Sequence, residues 1–133
     1  MELIVDTSAW IHFLRNSNLA IADRVEDALA EGVAVTGTIV MELLAGARSE
    51  KQLSSLEHLL GRATLLPTEP EDFERAALLY RTCRQNGITI RNMSDCLIAA
   101  TAIRTKQTVL HDDRDFALLA QHTELQLAKP AQD

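Results

Sequence analysis

Leu3-Ile4-Val5-Asp6-Thr7-Ser8 places three branched apolar residues directly before an acid. So short and so apolar a run reads as a strand buried on both faces, the habit of a parallel sheet. Outward from it the pattern repeats between helical stretches. A short helix around Trp10–Leu14 and another from about Leu19 to Glu31, with Ile21, Val25, Ala28 and Leu29 at helical spacing, lead to Gly32 and the strand Val33-Ala34-Val35. Thr38 caps a strongly apolar helix, Ser49–Leu60 forms the next, and Ala63–Leu66 reads as a third strand. Pro67 and Pro70 introduce a helix that runs to about Asn86 and ends at Gly87; Ser94 opens one through Thr105. A strand over Thr108–Leu110, a helix over Asp115–Gln121 and a strand over Leu125–Leu127 complete the series. The alternation predicts an α/β fold: a central, mainly parallel sheet of about five short strands with helices on both faces. In such sheets ligands bind beyond the carboxyl ends of the strands, where the strand order reverses.

The 133 residues fit one domain, 1–133, with a frayed tail over 128–133. Aromatics are only 4% of the chain, so the core is built from aliphatic residues and a base-stacking sheet is disfavoured. A net charge of −6 argues against a broad phosphate-gripping surface, unless several carboxylates share a cation. Arg15, Arg48, Lys51, Arg91, Arg104 and Arg114 are candidates for a local basic rim, or else for solvated helix faces. Cys83 and Cys96 lack the paired spacing of a zinc or redox motif and read as reduced core thiols. Glu2 and Asp6 stand where a signal peptide needs a basic start and an unbroken apolar stretch, and no window is apolar for the length of a membrane span. The expectation is a soluble, cytoplasmic protein.

Four acids stand in odd places. Asp6 follows the first strand and so lies at the carboxyl edge of the sheet, where it also suits a helix N-cap. Glu42 interrupts Ile39-Val40-Met41-Glu42-Leu43-Leu44-Ala45, a stretch apolar all round and therefore expected to be buried, with no Lys or Arg three or four residues away. Asp95 shares a helical face with Ile98, Ala99 and Ala102; a first-turn acid suits the helix dipole, which does not explain its apolar face. Asp113 belongs to His111-Asp112-Asp113-Arg114-Asp115-Phe116, directly after a strand, where alternation turns Asp113 and Asp115 one way and Asp112 the other. His111 reads as structural, and the acid run could be a solvated turn. Jointly the four acids fall at one edge of one sheet. An all-carboxylate site suits Mg²⁺ or Mn²⁺ rather than zinc, and such ions serve phosphodiester hydrolysis.

At these residues the sequence resembles the PIN-domain nucleases, and among them the VapC-type toxins of toxin–antitoxin pairs. The likeness rests on Ile4-Val5-Asp6-Thr7-Ser8, Met41-Glu42-Leu43-Leu44-Ala45-Gly46, Ser94-Asp95-Cys96-Leu97-Ile98-Ala99-Ala100 and His111–Phe116, in that order. It implies a PIN-like three-layer fold, with Asp6, Glu42, Asp95 and Asp113 as catalytic, metal-binding acids and Asp115 as a fifth candidate. It also implies Mg²⁺-dependent (or Mn²⁺-dependent) endonucleolytic cleavage of RNA, homodimerisation, inhibition by a cognate antitoxin, and no membrane partner. Thr7 and Ser8 are available to orient Asp6 or a bound water; many members carry Thr or Ser where His111 stands. The apolar faces of Leu53, Leu56 and Leu60 exceed the needs of a small core and suggest the dimer, and the antitoxin peptide is expected to reach the acidic pocket with an Arg.

Two other classes remain. A phosphoacceptor (receiver-like) signalling domain wants adjacent acids after the first strand and a Lys after a later one, whereas Asp6 has no acidic neighbour and no Lys follows Leu110; a haloacid-type phosphatase wants a second Asp where Ser8 stands. A non-catalytic PIN-like RNA-binding or interaction module keeps the fold and differs only in lacking nuclease activity.

Overall fold

A computed structural model describes residues 3–130. Four strands, β1 (Leu3–Val5), β2 (Val33–Thr36), β3 (Thr64–Leu66) and β4 (Val109–Leu110), form a wholly parallel sheet in the order β3-β2-β1-β4. Seven helices connect and flank them: α1 (Thr7–Leu14), α2 (Ala20–Glu31), α3 (Gly37–Ala45), α4 (Glu50–Leu60), α5 (Pro70–Gln85), α6 (Met93–Thr105) and α7 (Arg114–His122). The chain steps outward from β1 to β2 to β3, then returns to the other side of β1 to lay down β4. The order therefore reverses between β1 and β4, the crevice that such folds reserve for ligands.

Every residue of β1, β2 and β4 is buried, as their apolar runs require, Thr36 at the end of β2 included. β3 lies at an edge and leaves Leu65 59% exposed. The core gathers the inner strands, Trp10 and Phe116, and the small-residue face of α6 around Ala99 and Ala102. Cys83 and Cys96 sit in it as free thiols, and burial pushes the Cys96 thiol up to about 12. Gly87 ends α5 with φ +80°, the left-handed conformation that glycine takes without strain.

The expected fifth strand is reduced to a single bridge. Leu127 pairs in parallel with Val109, and the amide of Val109 donates to the Gln126 carbonyl at 3.1 Å. The tail holds on further than expected: the Ala128 amide donates to the Val109 carbonyl at 2.9 Å, while residues 131–133 of the expected frayed tail lie outside the described residues. Thr38 is not a cap. Thr36, the last residue of β2, accepts from the Ile39 amide through its hydroxyl, so strand passes into helix without a loop. Likewise Asn92, not Ser94, caps α6. Of the leucines expected on a dimer face, Leu60 is in the core, while Leu53 and Leu56 are half-buried.

Candidate metal centre at the carboxyl edge of the sheet

β1 and β4 are locked in register by the Asp6 amide, which donates to the Leu110 carbonyl at 2.9 Å. That bond brings the chain after β1 beside the chain after β4. Asp6 caps α1, its Oδ2 accepting from the Ser8 amide at 3.0 Å and the Ser8 hydroxyl at 2.7 Å. Asp113 caps α7, its Oδ1 accepting from the Asp115 amide at 2.9 Å. The cap reading holds for both side chains, and because a cap occupies only part of a carboxylate it does not compete with the site reading.

Asp95 arrives from α6. It is 4% exposed, its Oδ2 has no hydrogen-bond partner, and its neighbours are Asp113, Asp6 and Asp115. Burial first, and then these acids, push its carboxyl up to about 8. Carboxylate oxygens of Asp95, Asp113 and Asp115 lie within 4.8 Å of one another. Asp115 is buried; its Oδ2 accepts from the Arg91 amide at 3.0 Å, while its Oδ1, 3.8 Å from Arg91 Nε, has no hydrogen bond. Asp6 is also buried, and burial raises its pKa against the pull of the Ser8 hydrogen bonds and the backbone of Thr7.

Glu42 differs from its expected burial. It is half-buried, since α3 is apolar all round but buries only one face; Met41 is 64% exposed. Its Oε1 accepts from the Thr7 hydroxyl at 3.2 Å. Burial, with the nearby charges of Asp6 and Asp113, raises its pKa despite that bond. The tightest grouping is therefore Asp95, Asp113 and Asp115, with Asp6 and Glu42 facing it at electrostatic range.

His111 is a packing residue. Its ring lies 5.4 Å from that of Phe116, its Nδ1 accepts from the Asp113 amide, and burial lowers its pKa. Asp112 turns outward, as alternation required, to meet His12 Nε2 at 2.5 Å, and its amide donates to the Ser8 hydroxyl at 2.8 Å. His12 was not legible as part of this arrangement, although its i, i+4 spacing from Ser8 puts both on one face of α1. Ser8 thereby ties Asp6 to the turn that carries Asp113. Arg104, a candidate for the basic rim, is committed elsewhere: its guanidinium is bonded to Asp72 at 2.9 and 3.1 Å.

A set of carboxylates whose ion pairs among the described residues are limited to Arg91 with Asp115, and with buried oxygens left without hydrogen bonds, fits a hard divalent cation. It does not fit zinc, which prefers His and Cys.

The PIN domain family model matches residues 3–121. Over 130 residues, 95% of this chain and 97% of the relative, the sequence is 38% identical to VapC ribonuclease Mb1587 of Mycobacterium bovis, and equally to ribonuclease VapC11 of Mycobacterium tuberculosis. Solved structures of the same fold include DNA-bound VapBC from Salmonella typhimurium (TM-score 0.78, 17% identity, 98% of each chain covered) and FitAcB from Neisseria gonorrhoeae (TM-score 0.76, 21% identity, 96% of this chain and 97% of that one). The chain belongs to the PIN-domain family, among its VapC members.

Proposed function

We propose that the chain is an endoribonuclease dependent on a divalent cation, and the toxin of a toxin–antitoxin pair working in the cytoplasm. The observation that carries this is the buried carboxylate of Asp95, one oxygen of which has no hydrogen-bond partner, surrounded by further acids at the strand-order reversal. Asp6, Glu42, Asp95 and Asp113 would hold the cation, with Asp115, grouped with Asp95 and Asp113, as a fifth candidate ligand; Mg²⁺ is the expected ion and Mn²⁺ its substitute. When bound, the ion supplies polarisation of a phosphoryl oxygen and a water acidic enough to attack the phosphodiester. Asp95, its carboxyl pushed up to about 8, would have to be deprotonated to serve as a ligand, so cation binding would be coupled to proton release. Ser8 fixes Asp6, Thr7 fixes Glu42, and the Arg91 amide fixes Asp115, so the carboxylates are oriented before substrate arrives.

The relatives named as VapC ribonucleases support RNA as the substrate, and the VapBC assemblies among the structural neighbours support a cognate antitoxin. Leu65 on the open edge of the sheet, with Phe73 and Leu78 on α5, leaves apolar surface that a homodimer would cover.

The test is to incubate the purified chain with a total RNA pool and sequence the new ends. Discrete cuts with Mg²⁺ that vanish in chelator and return with added metal are expected. Cleavage that persists unchanged in chelator would remove the cation; no cleavage with either Mg²⁺ or Mn²⁺ would overturn the ribonuclease reading.

A further inference from the structure

α1, α3 and α4 enclose a cleft of about 940 Å³, open to solvent, whose lining includes Thr7 and Glu42 and is therefore continuous with the acidic site. Three cations line it: Arg15 at the end of α1, Arg48 between α3 and α4, and Lys51 in the first turn of α4. All three are exposed, and none makes an ion pair among the described residues. The other candidates for a basic rim behave differently where partners are seen: Arg104 is locked to Asp72, and Arg91 leans on Asp115. In a chain of net charge −6, a cleft with three unpaired cations to one carboxylate is a local reversal of sign.

We infer that this cleft is the path of the RNA strand leading away from the cleaved phosphate, with Arg15, Arg48 and Lys51 holding successive phosphates. The inference rests on the ribonuclease reading and goes further, by assigning the surface that grips substrate. Charge complementarity argues for the polyanion: each nucleotide of a strand brings a phosphate, and unpaired cations beside a phosphodiester-handling site are where such phosphates are neutralised. The remaining walls mix aliphatic side chains, Leu56 among them, with the polar Ser49, Gln52 and Ser55, and no aromatic side chain lines the cleft. Bases gain van der Waals contact there but no stacking, so the grip follows phosphate number rather than base identity. The same walls account for part of the apolar face of α4.

The test measures binding of a fluorescent single-stranded RNA of mixed sequence, in chelator, across a salt series. Arg15→Ala/Arg48→Ala/Lys51→Ala is compared with wild type and with Arg75→Ala/Arg81→Ala, which removes exposed charge on α5 outside the cleft. Loss of three phosphate contacts should flatten the salt dependence of log affinity by about 2, at roughly −0.7 per contact, and weaken binding about tenfold or more at moderate salt. The α5 variant should match wild type. In cleavage assays with metal, the cleft variant should raise KM for long RNA and leave kcat largely unchanged. If the triple variant misfolds by circular dichroism, the Arg48→Ala/Lys51→Ala pair carries the test with a proportionately smaller change. Wild-type affinity and salt dependence in the folded cleft variants would overturn the proposal. So would loss of binding to an acidic amphipathic peptide with RNA binding intact, which would make the cleft a protein-docking face. A wild-type chain that cleaves no RNA with metal defeats the ribonuclease reading itself, a different result from a cleaving enzyme whose cleft proves irrelevant.

Discussion

Asp72 and Asp95 occupy the same place on successive helices, the third residue of α5 and of α6, and both are buried, at 1% and 4% exposure. Their surroundings are opposite. Asp72 accepts from Arg104 Nε (2.9 Å), Arg104 Nη2 (3.1 Å), the Thr101 hydroxyl (3.1 Å) and the Glu69 amide (2.9 Å). Burial pushes its carboxyl up, but these donors outweigh it and hold the group below the usual carboxylate range. Asp95 has other acids for neighbours and an oxygen with no partner. One carboxylate is a staple between α5 and α6; the other is an incomplete site. The same buried residue becomes structural or chemical according to whether a cation of the protein itself is supplied.

The largest expected effect separates the two in activity. Asp95→Asn should lower metal-dependent RNA cleavage by roughly 10²- to 10³-fold or more, the scale for losing a group that supports transition-state charge, while the protein stays folded. Asp72→Asn, assayed well below its melting temperature, should retain near wild-type turnover. Equal losses in both would show that the contrast is only one of stability.

Next in size is the stability cost of breaking the staple. Asp72→Asn strips Arg104 of its counter-ion and should cost about 3 kcal/mol, the low end for a buried pair because Arg104 keeps 27% of its exposure. In a chain of this size that is a fall of about 10 °C in Tm by calorimetry. A fall of only a degree or two would mean that the Asp72 bonds contribute no more than surface pairs.

The smallest effect, and the one most specific to the comparison, is the sign of the pH dependence in chelator. Asp95 has a raised folded pKa, so the native state holds a proton that the unfolded chain gives up near pH ~4. Its contribution is fully present below about 4 and is lost as pH rises towards about 8. Asp95→Asn should therefore raise Tm by several degrees near neutral pH without metal, and the gain should vanish in acid. Asp72 is lowered, so its contribution is present above about 4 and lost as pH falls through its folded value. Added Mg²⁺ should raise the wild-type Tm by binding the native state alone, and do little for Asp95→Asn. A drop in Tm for Asp95→Asn in chelator, with no Mg²⁺ effect on wild type, would reduce Asp95 to a helix-terminal residue.

Much of this was legible in the chain. The apolar runs at Leu3–Val5, Val33–Val35 and Val109–Leu110 are buried strands because only a doubly covered parallel sheet tolerates such sequences. Asp95 stood out because its helical neighbours Ile98, Ala99 and Ala102 are all core residues, and the structure buries them. Local polarity misled in two places. Thr38 and Ser94 look like caps, yet Thr36 and Asn92 take the role, since a cap is chosen by where the backbone leaves its extended conformation. Leu125–Leu127 alternates like a strand but meets β4 after only two residues of that strand, too little to build a ladder.

What the sequence determined by itself was the helices and the four paired strands, the parallel sheet, and the family to which the chain belongs, because periodicity, turn residues and motif order are all read along the chain. Tertiary structure alone decided the partners. Arg104 and Asp72 are 32 residues apart in sequence, and His12 and Asp112 are 100 apart. Nothing local marks Arg104 as spent and Arg48 as unpaired, or Asp72 as satisfied and Asp95 as not. A buried charge is judged by what lies within a few ångströms of it in space, and only the packing of helices on the sheet sets those distances.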